Sequence, residues 1–536
     1  MLRYAFRLHR WGMIGFGAVL LLITYAQGAG FVQLAGGTPA ARAVFANSMA
    51  VLGTQLFYLF PAPFRLDTLA GFVQWRAYGP IEVMVMIWAI AAGTAAVRVD
   101  EDRQLVDYWL AARVSRARLV ASRLVAFGLA ALVAVAAAAL GVLAGAAGHA
   151  TIDPGGLAGK SLALLMLIVV LFALCLLASQ FAATQRGAQT GAAALLVALY
   201  LCDVVARSNH SLDGLAWISP FRWYDATTSL APGGHFDVAA ILLTAGLIVA
   251  AGVLTALAFS RRDVRGALLA RPAREAGARD AAPSPLLSWP VGRLLYRQRG
   301  VVIGWALASA GFAVFMVGTA HSIVDTLKGV PSLRAFLELG GADPYIAYIG
   351  GFWFGIAELL LAGFAVHLVS GWAADDTEGI LTAVLSTPRH RWSVVAERAA
   401  AAVVGMAIVV AAGSLVTALV AAAIGNGLET GALLRASWPL IPFGLTFAAV
   451  GAAASAVWPR AAIGVLGVLA FASYMLDEFA PILNWPRWVA DLSVMQLYGN
   501  PYLSGVYWTG LWAMLAVAVA GFGLAAALMQ RREVGV

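Results

Sequence analysis

Twelve apolar runs separated by short polar intervals set the pattern of this chain. They cover residues 11–33, 80–97, 119–147, 157–179, 188–206 and 237–259, then 301–319, 345–371, 393–424, 433–458, 461–480 and 504–529. Each approaches or exceeds the length of about 20 residues that a helix needs to cross a hydrocarbon layer about 30 Å thick. Within that layer only helices and closed barrels satisfy every backbone amide. The pattern predicts an all-α polytopic membrane protein built as two tandem six-helix transmembrane bundles. The first half covers 1–260 and the second 291–536, joined by a basic, proline-containing linker at 261–290 that is expected to be cytoplasmic. Residues 40–79 hold a further apolar run, Val44 to Phe60, broken by Asn47, Ser48 and Gln55. It reads as an amphipathic helix on the outer surface. The tryptophan- and proline-containing stretches 207–235 and 481–503 read as paired re-entrant or interfacial hairpins.

The polar intervals repeat. Asp100-Glu101-Asp102-Arg103 through Leu110, Arg116 and Arg123 returns without a gap as Asp375-Asp376-Thr377-Glu378 through Leu385, Arg391 and Arg398, 275 residues later. Three further echoes keep the same order. Phe6 to Phe16 resembles Leu294 to Trp305, Tyr200-Leu201-Cys202-Asp203 resembles Tyr474-Met475-Leu476-Asp477, and Arg261-Arg262-Asp263-Val264 resembles Arg531-Arg532-Glu533-Val534. Repeats in one orientation predict equivalent bundles about a pseudo-twofold axis along the membrane normal, with a pathway between them.

Within the repeated interval, Leu105, Val106, Trp109 and Leu110 lie at helical spacing behind the acidic start, where the helix dipole favours negative charge. Asp107 lies on the same short helix, and Arg113 and Arg116 form a basic elbow before the next span. The second copy carries Ile380, Val384 and Leu385, then Thr387-Pro388 as a break, with Arg389 and Arg391 in its elbow. Such a segment either caps its bundle at the interface or docks a symmetric partner. Duplication in register favours docking.

Composition and charge sharpen this picture. The chain of 536 residues is 62% apolar and 12% charged, with a mean hydropathy of +0.84 and a net charge of +8. With the N-terminus inside, 25 of the 35 basic residues fall on cytoplasmic segments, which places both termini and both repeated intervals in the cytoplasm. The positive charge is thus topological, and no nucleic-acid partner is implied. Arg3, Arg7 and Arg10 precede a run long enough to span, so the first helix is expected to be retained rather than cleaved.

Little catalytic chemistry is written here. Pro154-Gly155-Gly156-Leu157-Ala158-Gly159-Lys160-Ser161 imitates a phosphate-binding loop, but the first glycine is a proline and no strand precedes it. The seven histidines lack metal-ligand spacing, and Cys175 and Cys202 fall in apolar runs as small core residues. No cofactor is expected in this chain. Four intramembrane acids remain: Glu82 and Glu358, and Asp203 and Asp477. A carboxylate in hydrocarbon is costly, so these should face water or a partner such as Arg207, Arg222 or Arg487, or else form an outer gate.

The acidic run, the leucines and the elbow Leu385-Ser386-Thr387-Pro388-Arg389-His390-Arg391-Trp392 resemble those of ABC-2 exporter permeases, and within them the fused twelve-span permeases associated with polyketide-antibiotic export. Ser219-Pro220-Phe221 with Trp223 also fits, whereas the first elbow has Ala112-Arg113 in place of Thr-Pro. The resemblance implies a permease moving a lipophilic or amphipathic compound, with ATP and Mg held by two copies of a separate cytoplasmic ATPase. Asp100, Glu101, Asp102, Asp107, Arg113, Arg116, Asp375, Asp376, Glu378, Thr387, Pro388, Arg389 and Arg391 would then form the coupling segments. The alternative is a proton-coupled secondary transporter using the four acids. A membrane-embedded lipid enzyme is disfavoured by the lack of a clustered catalytic set.

Overall fold

A computed structural model describes residues 2–56, 62–102, 104–182, 184–208, 213–264, 266, 268, 285–328, 343–377, 379–425, 428–459, 461–482 and 485–532. Most of the predicted linker, Phe60, Arg103 and Glu378 lie outside these residues, as does the side chain of Asp102. All regular structure among the described residues is helical. Among the described residues eleven helices are long and apolar enough to cross a membrane, and the chain is a multi-pass membrane protein. The predicted run at 461–480 forms a helix, Ala462–Ile482, whose apolar part Ala462–Asp477 is shorter than the others.

Two compact units divide the chain, Met1–Gly277 and Ala278–Val536. In the first, α1 (Leu2–Ala35) is followed by α2 (Pro39–Leu56), then α3 (Leu69–Val73), which runs through a π-turn at Gln74–Tyr78 into α4 (Gly79–Asp102). A short α5 (Leu105–Ala111) leads to α6 (Arg116–Ala146), α7 (Pro154–Ala178) and α8 (Gln185–Ser208). The short helices α9 (Asp213–Ala216) and α10 (Pro220–Asp225) precede α11 (Val238–Arg261). The second span therefore starts at Leu69, eleven residues before the predicted start at 80, because the helix continues through the π-turn.

Small residues hold α1 against α6. A Cβ added to Gly141 would lie 2.2 Å from Thr24 Oγ1 and 2.3 Å from the Leu21 carbonyl, and one on Gly145 would lie 2.5 Å from the Tyr25 carbonyl. The hydroxyl of Thr24 donates to the Ala138 carbonyl at 2.9 Å. Close backbone approach supported by a polar side chain is how helices associate where lipid removes the hydrophobic drive.

The second unit repeats the order. Pro290–Gly318 pairs with Arg391–Ala423, where a Cβ on Gly413 would meet Ser309 Oγ at 2.3 Å. Pro344–Tyr348 runs through a π-turn at Ile349–Trp353 into Phe354–Thr377, so this span starts at the predicted place and continues several residues past the predicted end at 371. Ile380–Leu385, the span Thr430–Val457, the helix Ala462–Ile482 and the final span Trp508–Arg531 follow in the same order.

The repeat is conformational as well as sequential. Thr68 and Asp343 cap the second spans through their side chains, and the two π-turns begin at Gln74 and Ile349. Each short helix after the second span opens on a left-handed residue, Gln104 (φ 61°) or Gly379 (φ 77°). All three pairs stand 275 residues apart. The glutamine accepts a backbone conformation that costs a side-chain-bearing residue energy, so the geometry is imposed by what the segment joins.

Candidate functional site

The repeated polar interval is a bolted bracket. In the first unit Asp100 and Glu101, at the end of α4, are each only 1% exposed. Asp100 accepts from Arg123 of α6 and from the Tyr4 hydroxyl of α1 at 3.3 Å. Glu101 pairs with Arg98 at 3.1 Å and lies 2.7 Å from Arg262, just beyond α11. Arg98 donates in turn to the Ser179 carbonyl at 3.0 and 3.1 Å and to the Gly266 carbonyl at 2.9 Å, while Arg262 donates to Gln180 Oε1 at 2.9 Å. Burial lowers the Arg262 guanidinium from its usual value while Glu101 raises it, yet arginine starts so high that it stays ionised. Arg116, in the first turn of α6, donates to the Phe259 and Arg262 carbonyls and so caps the far end of α11.

The second unit builds the same bracket from equivalent positions. Asp375 pairs with Arg297 of the first span and stands 3.7 Å from Arg398 of the third. Asp376 pairs with Arg532, beyond the last span, at 2.5 Å. Arg391 donates to the Met529 and Arg532 carbonyls at that helix's end. In each unit, then, the end of the second span that leads into the short helix is tied by charge to the third span and to the end of the last one, and it is tied to the first span through the Tyr4 hydroxyl in the first unit and Arg297 in the second. Truncating one partner of such a buried pair strands the other charge, at a cost of roughly 3–5 kcal/mol.

What the bracket presents outward is a different set. Asp107 and Arg113 are exposed, and Tyr108 is 71% exposed, while Trp109 turns inward with its ring edge against Tyr4 at 5.4 Å. Arg113 adopts φ 60° to end α5. Its repeat equivalent, Pro388, is barred from that region by its ring, so the elbows differ in backbone as the sequence indicated. Thr387 and Pro388 are exposed, Trp392 is 50% exposed, and Arg389 forks onto Glu397 at 3.2 Å. Of the residues singled out from sequence, Asp100, Glu101, Asp375, Asp376, Arg116 and Arg391 thus hold the bracket. Asp107, Arg113, Thr387 and Pro388 form its exposed face. Tyr4, Arg98, Arg262 and Arg532 also hold the bracket, and for the last two the matching ends at Arg261-Arg262 and Arg531-Arg532 carry a signal in the sequence.

The intramembrane acids lie at the opposite end of the second spans, about 30 Å away at 1.5 Å per helical residue. In the first unit Asp203 and Asp225 both accept from Arg207, and Lys160 donates to the Tyr224 and Thr227 carbonyls at 3.2 and 3.0 Å. Glu82 sits within electrostatic reach of Lys160, Asp203, Arg207 and Asp225, fully enclosed, with neither oxygen hydrogen-bonded. Burial holds the Tyr224 phenol protonated, far above its usual range, and it donates to the Tyr78 carbonyl at the end of the π-turn at 2.9 Å. The second unit keeps less. Asp477 accepts from Gln496 at 2.5 Å, and Glu358 has Asp477 for an electrostatic neighbour. Lys160, the centre of the phosphate-loop imitation, has its ammonium on two carbonyls and 3.6 Å from the Tyr224 ring centre. A Cβ on Gly156 would meet the Ser229 carbonyl at 2.2 Å, so the glycine serves close packing of α7.

Comparison with known proteins assigns both units. Residues 12–264 match the family of ABC-2 family transporter proteins. Residues 287–530 match the C-terminal domain of the multidrug efflux system permease Rv1217c. Among whole proteins, the chain is 26% identical over 511 residues to the multidrug efflux system permease protein Rv1217c of Mycobacterium tuberculosis, covering 91% of this chain and 87% of that one.

Proposed function

Because this chain belongs to the ABC-2 transporter family, we propose that it is the permease of an ATP-driven efflux system, moving a lipophilic or amphipathic compound out of the cytoplasm or the inner leaflet. ATP and Mg belong to a separate ATPase, of which two copies engage the chain, one at each bracket. The basic residues at the bracket ends of the spans orient those ends to the cytoplasm of the cell membrane, with both chain termini on that side. The equivalent spacing of brackets, π-turns and caps supports two bundles related by a pseudo-twofold axis.

The bracket itself carries the reading. A short helix that follows a buried, charged span end and presents an exposed Asp107-Tyr108-Arg113 or Thr387-Pro388 face suits a handle gripped from outside and rooted in the charge pairs that join the spans. Movement of the handle then moves the helices as a body, the rigid-body transition that alternates access. Multidrug efflux, the activity in the relative's name, fits a substrate of this apolar class.

Co-expression with the ATPase of the same transport system tests it. The Asp107→Lys/Arg113→Glu variant, altered only on the exposed face, should fold and lose ATPase co-purification from that half. Retention of full ATPase binding with the faces of both halves altered, or transport by the chain alone in ATP-free liposomes under a proton gradient, would overturn the proposal.

A further inference from the structure

The first unit contains a cavity of about 210 Å³ lined by charged side chains at the end of α4 remote from the bracket. Its wall includes Lys160, Arg207 and Arg222 against the single acid Asp225, with Phe64 and Trp75 supplying an apolar side. Arg207 is 8% exposed, and its Nη1 is enclosed with no acceptor among the described residues, although its Nη2 serves both Asp203 and Asp225. A guanidinium nitrogen left so is costly, and an acceptor arriving in the cavity removes that cost. Arg222 is exposed and adds a second, movable fork. In the second unit the position equivalent to Lys160 is Arg435, whose side chain is 55% exposed and stands 3.8 Å from Glu429, and Asp477 accepts from Gln496.

We propose that this cavity binds the phosphate monoester headgroup of an amphiphile, one per chain. Paired guanidinium forks match phosphate oxygens, and an ammonium adds charge. The size decides how much of the ligand enters. Drug-sized pockets run from about 300 Å³ upward, so this one takes a headgroup and leaves the acyl chains along Phe64, Trp75 and the lipid. Trp75 suits that boundary, since its ring favours the headgroup level. Glu82 and Asp203 stand behind the wall rather than in it. The assignment is independent of how transport is powered.

Thermal unfolding of the full chain in a phosphate-free maltoside detergent tests the proposal with three probes. Dioctanoyl phosphatidic acid should raise the midpoint saturably, while dioctanoylglycerol and inorganic phosphate should not. The Arg222→Ala variant removes an exposed cation and should fold, with half-saturation by phosphatidic acid shifted about tenfold for one lost charged hydrogen bond. The Glu82→Gln variant should respond like the parent. An equal response to dioctanoylglycerol would overturn the role of the phosphate, and an equal response to inorganic phosphate would overturn that of the apolar chain. Loss of the response in Glu82→Gln would instead assign the cavity to a cation.

Discussion

At the scale of single residues, the same charged type has opposite roles according to burial. Asp100 and Asp107 are seven positions apart, yet Asp100 is enclosed against Arg123 and Tyr4 while Asp107 is exposed. Asp100→Asn leaves the Arg123 charge buried and underpaired, so it should lower the unfolding free energy by about 3–5 kcal/mol. Asp107→Asn, at an exposed position, should change it by much less. Unfolding midpoints in detergent separate these outcomes, and equal effects would contradict the buried assignment. Asp375→Asn should cost less than Asp100→Asn. Its partner Arg297 has a side chain 48% exposed, and water takes over part of the lost pairing.

At the scale of elements, the π-turns and the small-residue contacts fix where helices begin and how near they approach. Gln74, the first residue of its turn, accepts from the Leu230 and Ala231 amides at 3.1 Å each. Gln74→Leu strands both donors at about 1–3 kcal/mol apiece. Faster amide exchange at 228–231 with unchanged exchange in α6 is the expected signature. Gly141→Leu places a side chain where even a Cβ meets Thr24 and Leu21, and it should cost at least the roughly 1–3 kcal/mol of ordinary overpacking, seen as a lower midpoint and reduced membrane yield. The two elements differed in legibility. Spans read well from apolar length, because lipid imposes a length on any helix that crosses it. The π-turns do not, since a fifth residue in a turn leaves no change in hydropathy, and in the first unit the helix runs through its π-turn to begin eleven residues before the apolar run at 80. The bracket was half legible. The 275-residue repeat of Asp100, Arg116 and Arg123 announced it, while the contact of Glu101 with Arg262 joins residues 161 apart and needed the fold.

At the scale of the molecule, duplication makes each half an internal control for the other. Each unit ties its handle to its own first, second, third and last spans, so a partner gripping one handle is not required to hold the other. If two ATPase copies bind independently, altering Asp107 and Arg113 alone should reduce the ATPase stoichiometry by native mass spectrometry from two copies to one. Altering Thr387, Pro388 and Trp392 alone should do the same from the other side. Transport should fall much further than binding in either case, because alternating access moves helices as rigid bodies and a half-driven chain has one handle without force. Loss of both ATPase copies after altering one face would show instead that binding is cooperative through ATPase contacts. Equal loss of binding and transport in proportion would show that each half works alone, and the duplicated bracket would then mark two separate engines rather than one shared stroke.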